Sequence, residues 1–132
     1  MSETATVKTE FVDRDALVTA LRAIYPDVEV HEQAQSLFNW MGREQRYKAN
    51  VIVRKCHIDS LSNDMGFEYD SITGKYQAHF DDAHHPESFW DSLRVGYQTA
   101  YYTELGKQRG YIYNGMTVDA NTGATRLQFL EA

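Results

Sequence analysis

Apolar residues recur along this chain at two different periods, and the changes of period divide it into elements. Residues 6–12 are rich in β-branched side chains and predict a first strand, with residues 1–5 as a flexible N-terminus before it. Asp13 is placed to cap a helix over residues 14–25, where Leu17, Leu21 and Ile24 recur at helical spacing until Pro26 stops the run. Val28 and Val30 alternate with Glu29 and His31, the pattern of a half-buried second strand. From residue 33 to 46 the periodicity fails, which predicts a long loop or an irregular edge. Val51, Ile52 and Val53 then open a third strand running through Ile58. Its apolar character on both faces predicts a central position in the sheet.

A hairpin follows. Met65, Phe67 and Tyr69 share one face of its first strand, and Ala78 and Phe80 share one face of its second. Pairing Phe67 with Phe80 and Tyr69 with Ala78 keeps all of them on one side; residues 72–75 become the turn, and Glu68 lies opposite His79 on the other face. Pro86 opens a long helix that Gly110 ends, with Trp90, Leu93, Tyr97, Tyr101 and Leu105 as its apolar stripe. Ser92, Gly96 and Ala100 form a row of small side chains that predicts close approach to a neighbour, the sheet. Tyr97 and Tyr101 belong to the stripe, whereas Tyr102 and Tyr113 are freer to contact something else. Two last strands, 111–118 and 124–130, flank turn-forming residues 119–123.

The order β-α-β-β-β-β-α-β-β predicts one α+β domain over residues 1–132. Its sheet is antiparallel or mixed with both helices on one face, an elaboration of the ferredoxin-like split βαβ arrangement. Composition agrees: 132 residues, 42% hydrophobic and 13% aromatic, suffice for one folded core. A net charge of −6 disfavours a general binder of nucleic acid or anionic membranes. The single Cys56 excludes an internal disulfide and suits a reducing compartment. Met1-Ser2-Glu3-Thr4 lacks the basic and apolar regions of a signal peptide, and no apolar run is long enough to span a membrane. The expected location is therefore cytoplasmic, or the host cytoplasm if the protein is viral.

Several short stretches carry a likeness: Val7-Lys8-Thr9 with the helix over residues 13–21, Met65-Gly66-Phe67, and Tyr97-Gln98-Thr99-Ala100-Tyr101. Gly110-Tyr111 and the closing Thr125-Arg126-Leu127-Gln128 extend it over most of the chain. In these the chain resembles a small conserved family of unknown function found in plastids, cyanobacteria and some bacteriophages. The resemblance implies a non-enzymatic accessory protein, with an ATPase of the AAA+ class as its partner. It brings no established catalytic residues. Residues 37–41 and the histidine-rich stretch 78–85 depart from the family.

Ligand-type residues concentrate in His79-Phe80-Asp81-Asp82-Ala83-His84-His85, with Glu68 predicted beside them. Glu68, His79, His84 and His85 are candidate metal ligands, but their spacing matches no established zinc pattern. Solvated or helix-capping histidines are the plainer reading, and no cofactor is expected. Cys56 lies between Lys55 and His57, but neighbours on a strand face opposite ways, so His57 would not activate what looks like a buried thiol. No phosphate loop, Gly-x-Ser-x-Gly elbow or His-Glu-x-x-His helix occurs, and no enzyme is expected.

Charge is segregated instead. Residues 43–55 carry Arg43, Arg46, Lys48, Arg54 and Lys55 against Glu44, whereas residues 59–91 carry eight acids against Lys75. The apolar cluster Leu37, Phe38, Trp40 and Met41 beside this basic run is either a lid over the core or a contact for a protein partner. The expected partner surface is Leu37, Phe38, Trp40, Met41, Arg43, Arg46, Tyr47 and Lys48, in a non-catalytic adaptor. Self-association is open to it. The alternatives are single-stranded nucleic acid held by Trp40, Tyr47, Arg43, Arg46 and Lys48, or an acidic segment around Asp81 and Asp82 imitating a phosphate backbone.

Overall fold

A computed structural model describes residues 3–118 and 120–131. The chain runs β1 (Thr4–Lys8), α1 (Arg14–Arg22), β2 (Glu29–Phe38), β3 (Glu44–Val53), β4 (Met65–Asp70), β5 (Lys75–Asp81), α2 (Glu87–Gln108), β6 (Tyr111–Val118) and β7 (Thr125–Glu131). Short 3₁₀ turns, Lys55–His57 and Asp82–His84, follow β3 and β5. Strands β1 to β5 form one antiparallel sheet in the order β1-β5-β4-β3-β2, and β6 and β7 form a separate hairpin. The expected α+β architecture is the one observed. β1 and β2 run parallel at opposite edges and α1 connects them, a split βαβ unit with three strands between its halves.

Alternation along the strands explains the core. Val51, Val53, Met65, Phe67, Tyr76, Ala78 and Phe80 turn to the helices, and Leu17, Leu21, Leu93 and Tyr97 meet them, none of these more than 8% exposed. The Asp13 side chain accepts from the Ala16 amide at 2.9 Å and fixes the start of α1. The Tyr97 hydroxyl accepts from the amides of Val12 and Asp13, both at 3.1 Å, so α2 also caps the loop that enters α1. Gly96 faces α1 and not the sheet: a β-carbon there would lie 3.3 Å from the Ala20 β-carbon. The row of small residues thus serves helix–helix packing.

Four local expectations are corrected. Thr4 and Ala5 pair with Asp81 and Phe80, so the N-terminal stretch enters the sheet by residue 4. Strand β3 ends at Val53, and Arg54–Ile58 turns away from the sheet. Phe67 pairs with Ala78 and Tyr69 with Tyr76, two residues from the expected register. A two-residue shift keeps every side chain on its face, and hydrophobic patterning cannot distinguish the two. Residues 33–46, finally, are strand at both ends of a tight turn: the backbone of Asn39 bonds to Arg43, and Gly42 takes a φ of 77°. The periodicity fails there because the β2–β3 ladder breaks register between Val30 and Gln35 and again between Ser36 and Phe38. Asn50 fills the first break, donating to the carbonyls of His31 and Glu32 and accepting from the Tyr69 amide. Of the expected last turn, Asp119 lies outside the described residues.

Candidate functional site

The outer half of the β2–β3 hairpin curls over the sheet face opposite the helices. Leu37 and Ala49 bury completely against Ile52, with Tyr47 packed on them. Leu37 is therefore core and cannot be a partner contact. At the far edge the Gln45 amide donates to the Thr4 hydroxyl at 2.8 Å. Residues 59–64 anchor the tip: Asn63 accepts from the Trp40 amide, Asp64 accepts from the Phe38 amide, and the Lys55 ammonium donates to the Trp40 carbonyl. Arg54 joins Glu29 in a two-pronged ion pair at 2.8 and 3.0 Å and reaches Asp64 at 3.0 Å. Its guanidinium holds the Glu29 carboxyl below the usual carboxylate range, and Glu29 in turn raises the Arg54 pKa. The Arg54 guanidinium also lies over the Phe38 ring.

This arrangement divides the expected partner surface. Phe38, Met41, Arg43, Arg46 and Lys48 remain exposed, Trp40 and Tyr47 are half-buried, and Leu37 is enclosed. The Tyr47 ring contacts His79 at 4.9 Å and Arg46 at 5.0 Å, so it is already engaged within the fold. The acidic segment is likewise broken up, because Asp64 and Asp81 are buried and hydrogen-bonded. Asp81 cannot belong to a solvent-facing phosphate mimic.

The histidines and Glu68 separate into two clusters. On the outer face, beneath Tyr47, buried His79 lies 2.9 Å from Glu68 Oε1 through Nε2 and 2.8 Å from Thr6 Oγ1 through Nδ1. With Glu68 ionised, Nε2–H donates to it and Nδ1 accepts from the threonine hydroxyl. The chain ties β1, β5 and β4 together, and Tyr47 covers the imidazole. The second cluster lies between β5 and the helices. His84 donates to the Asp81 carboxylate at 3.1 Å, and His85 donates from Nδ1 to the Asp81 carbonyl at 3.0 Å. That fixes His85 Nε2 as the acceptor for the Tyr25 hydroxyl, 3.0 Å away. Burial lowers the His85 pKa and pushes Tyr25 up to about 12. The four candidate ligands are thus divided, Glu68 with His79 and His84 with His85, and His79 and His85 are buried instead of solvated as the plainer reading expected.

Cys56 is exposed on the 3₁₀ turn and not buried. The reason is that the strand on which its parity was reckoned has already ended.

The feature that patterning missed is the arm. Beyond Tyr97 the only buried residue of α2 is Gly106, and its last turns carry the β6–β7 hairpin. Tyr102 contacts Tyr113 ring to ring at 5.6 Å, and Tyr113 contacts Phe129 at 5.5 Å, which fastens the hairpin to the helix. The two tyrosines read as free thus partner each other. A β-carbon on Gly106 would fall 2.8 Å from the Tyr111 carbonyl, so the close approach needs glycine. Every residue of β7 is exposed. Leu127 and Phe129 are only partly covered by α2, while Ile112 and Leu130 pair across the other face at 54% and 51% exposure. A two-stranded hairpin standing alone is marginal in water. Alternating apolar residues on 111–118 and 124–130 were visible in the sequence, but nothing in it shows that no third layer covers them.

Comparison of the chain with protein-family models, with curated proteins and with solved structures returned no match.

Proposed function

We propose that the chain is a non-catalytic adaptor that holds a protein partner against its β6–β7 arm. The observation that supports this reading is the Ile112–Leu130 pair, apolar and more than half exposed on one face of the hairpin. These two side chains offer the apolar centre that protein interfaces require, and Thr117 and Gln128, on the same face of the ladder, supply a polar surround. The AAA+ class of ATPase implied by resemblance is the first partner to try. The experiment is affinity capture from native lysate with the wild-type chain and with the double variant Ile112→Asp/Leu130→Asp. The reading expects a partner that the wild type retains and the variant loses; equal capture by both contradicts it.

A further inference from the structure

We propose a second docking site, independent of the arm, in which an extended peptide adds as a strand to the free edge of β1 and lays an apolar side chain under α2. β1 is an edge of the five-stranded sheet, paired only with β5. The Thr9 amide donates to the Tyr76 carbonyl at 3.1 Å. By the alternation of an antiparallel ladder, Val7 and Ala5 also turn their amides inward, and those of Thr6 and Lys8 face away from the sheet. Two donors and two acceptors in strand spacing specify an extended backbone as the occupant.

Beside this edge, between β1 and the first half of α2, lies a cavity of about 430 Å³. Val7, Phe11, Phe80 and Trp90 give it apolar walls, and Val7 remains 49% exposed at its mouth. Side chains of an added strand alternate between the two sheet faces, so every second residue would reach this cavity. Its volume suits an aromatic ring. The rim carries Glu10, Asp82 and Glu87 against Lys8 and Arg94. Glu10 pairs with Lys75 and Arg94 with Asp91, whereas among the described residues no cation pairs with Asp82 or Glu87. Those two carboxylates favour a basic residue flanking the apolar anchor.

The test uses the full chain and a fluorescent peptide in which threonine and phenylalanine alternate between terminal lysines. Saturable binding is expected, with the Thr6 and Lys8 amides gaining protection from hydrogen exchange. Lys8→Pro, which removes an outward amide and leaves the β5 ladder intact, should weaken binding by about tenfold. Asp82→Lys/Glu87→Lys should abolish the preference for terminal lysines over terminal glutamates, and serves if the proline variant does not fold. Equal binding of a peptide with proline in place of the threonines overturns the proposal, as does absence of saturable binding. Protection of Thr6 and Lys8 that grows with protein concentration and without peptide also overturns it, because a second copy then occupies the edge.

Discussion

Ala49 of β3 sits directly on Gly66 of β4: a β-carbon at position 66 would overlap that of Ala49 and come within 2.9 Å of Leu37 Cδ2. This contact lets the curled hairpin close on the sheet. Gly66→Ala should cost about 1–3 kcal/mol, the usual penalty for overpacking a filled core. A urea midpoint unchanged from wild type would contradict the assignment of residues 37–49 as a lid. Hydrogen exchange should accelerate in β2 before the helices, since the hairpin opens first.

Arg54 holds that lid through charge. Asp64 is 2% exposed, and without Arg54 its carboxylate would stay buried with its main charge partner gone. Arg54→Met should therefore destabilise by about 3–5 kcal/mol. Adding Asp64→Leu to Arg54→Met should recover part of the loss, although the amides of Phe38 and Lys55 lose their acceptor. Chemical denaturation of the single and double variants measures both. A single variant costing less than loss of the surface pair Lys75–Glu10, whose carboxylate side chain is 89% exposed, would contradict this account.

The Tyr25–His85 contact makes stability depend on pH at both ends. His85 titrates below its ordinary 6.5 because burial disfavours the cation. The unfolded chain takes up the proton first, so the stability is fully present above pH 6.5 and declines as pH falls below it. Tyr25 is pushed up to about 12 from 10.0. Here the unfolded chain ionises first, and stability falls as pH rises from 10 toward 12. His85→Gln should flatten the acid-side slope, and Tyr25→Phe the alkaline one. Urea midpoints across pH for the three proteins check this; unchanged slopes would contradict it.

The arm and the core should respond oppositely to truncation. Leu93 is fully buried, and Leu93→Ala should cost about 2–5 kcal/mol. Ile112→Ser and Leu130→Ser lie on the open face of the hairpin and should each change stability by at most about 0.5 kcal/mol. Calorimetric melting of the three variants distinguishes them. A Leu130→Ser loss as large as that of Leu93→Ala would mean the arm is part of the core.

Period and capping made α1, α2, β4 and β5 legible, because each buries one face against the same core. The Asp13 cap was readable because capping is local, and the Glu68–His79 contact because parity survives a two-residue shift in register. Of β2 only the start at residues 28–31 was legible, since a strand that changes faces at a bulge loses its alternation beyond it, and Asn50 gives no sign in sequence of filling one. Leu37 shows the cost. Its apolar cluster was open to reading as a core lid or as a partner contact, and only the curl of the hairpin places it inside while Phe38 and Met41 stay out. For the arm, the strands were evident but their lack of a covering layer is a tertiary property.

The most direct test of an adaptor role is site-specific photo-crosslinking in native lysate, with the photoreactive residue placed in turn at positions 112, 130 and 24. Ile24 is also an exposed apolar residue, 42% accessible, but it lies at the end of α1 away from the hairpin. The account predicts one and the same protein crosslinked from 112 and 130 and absent from 24. The same products from all three positions, or none from 112 and 130, would contradict it.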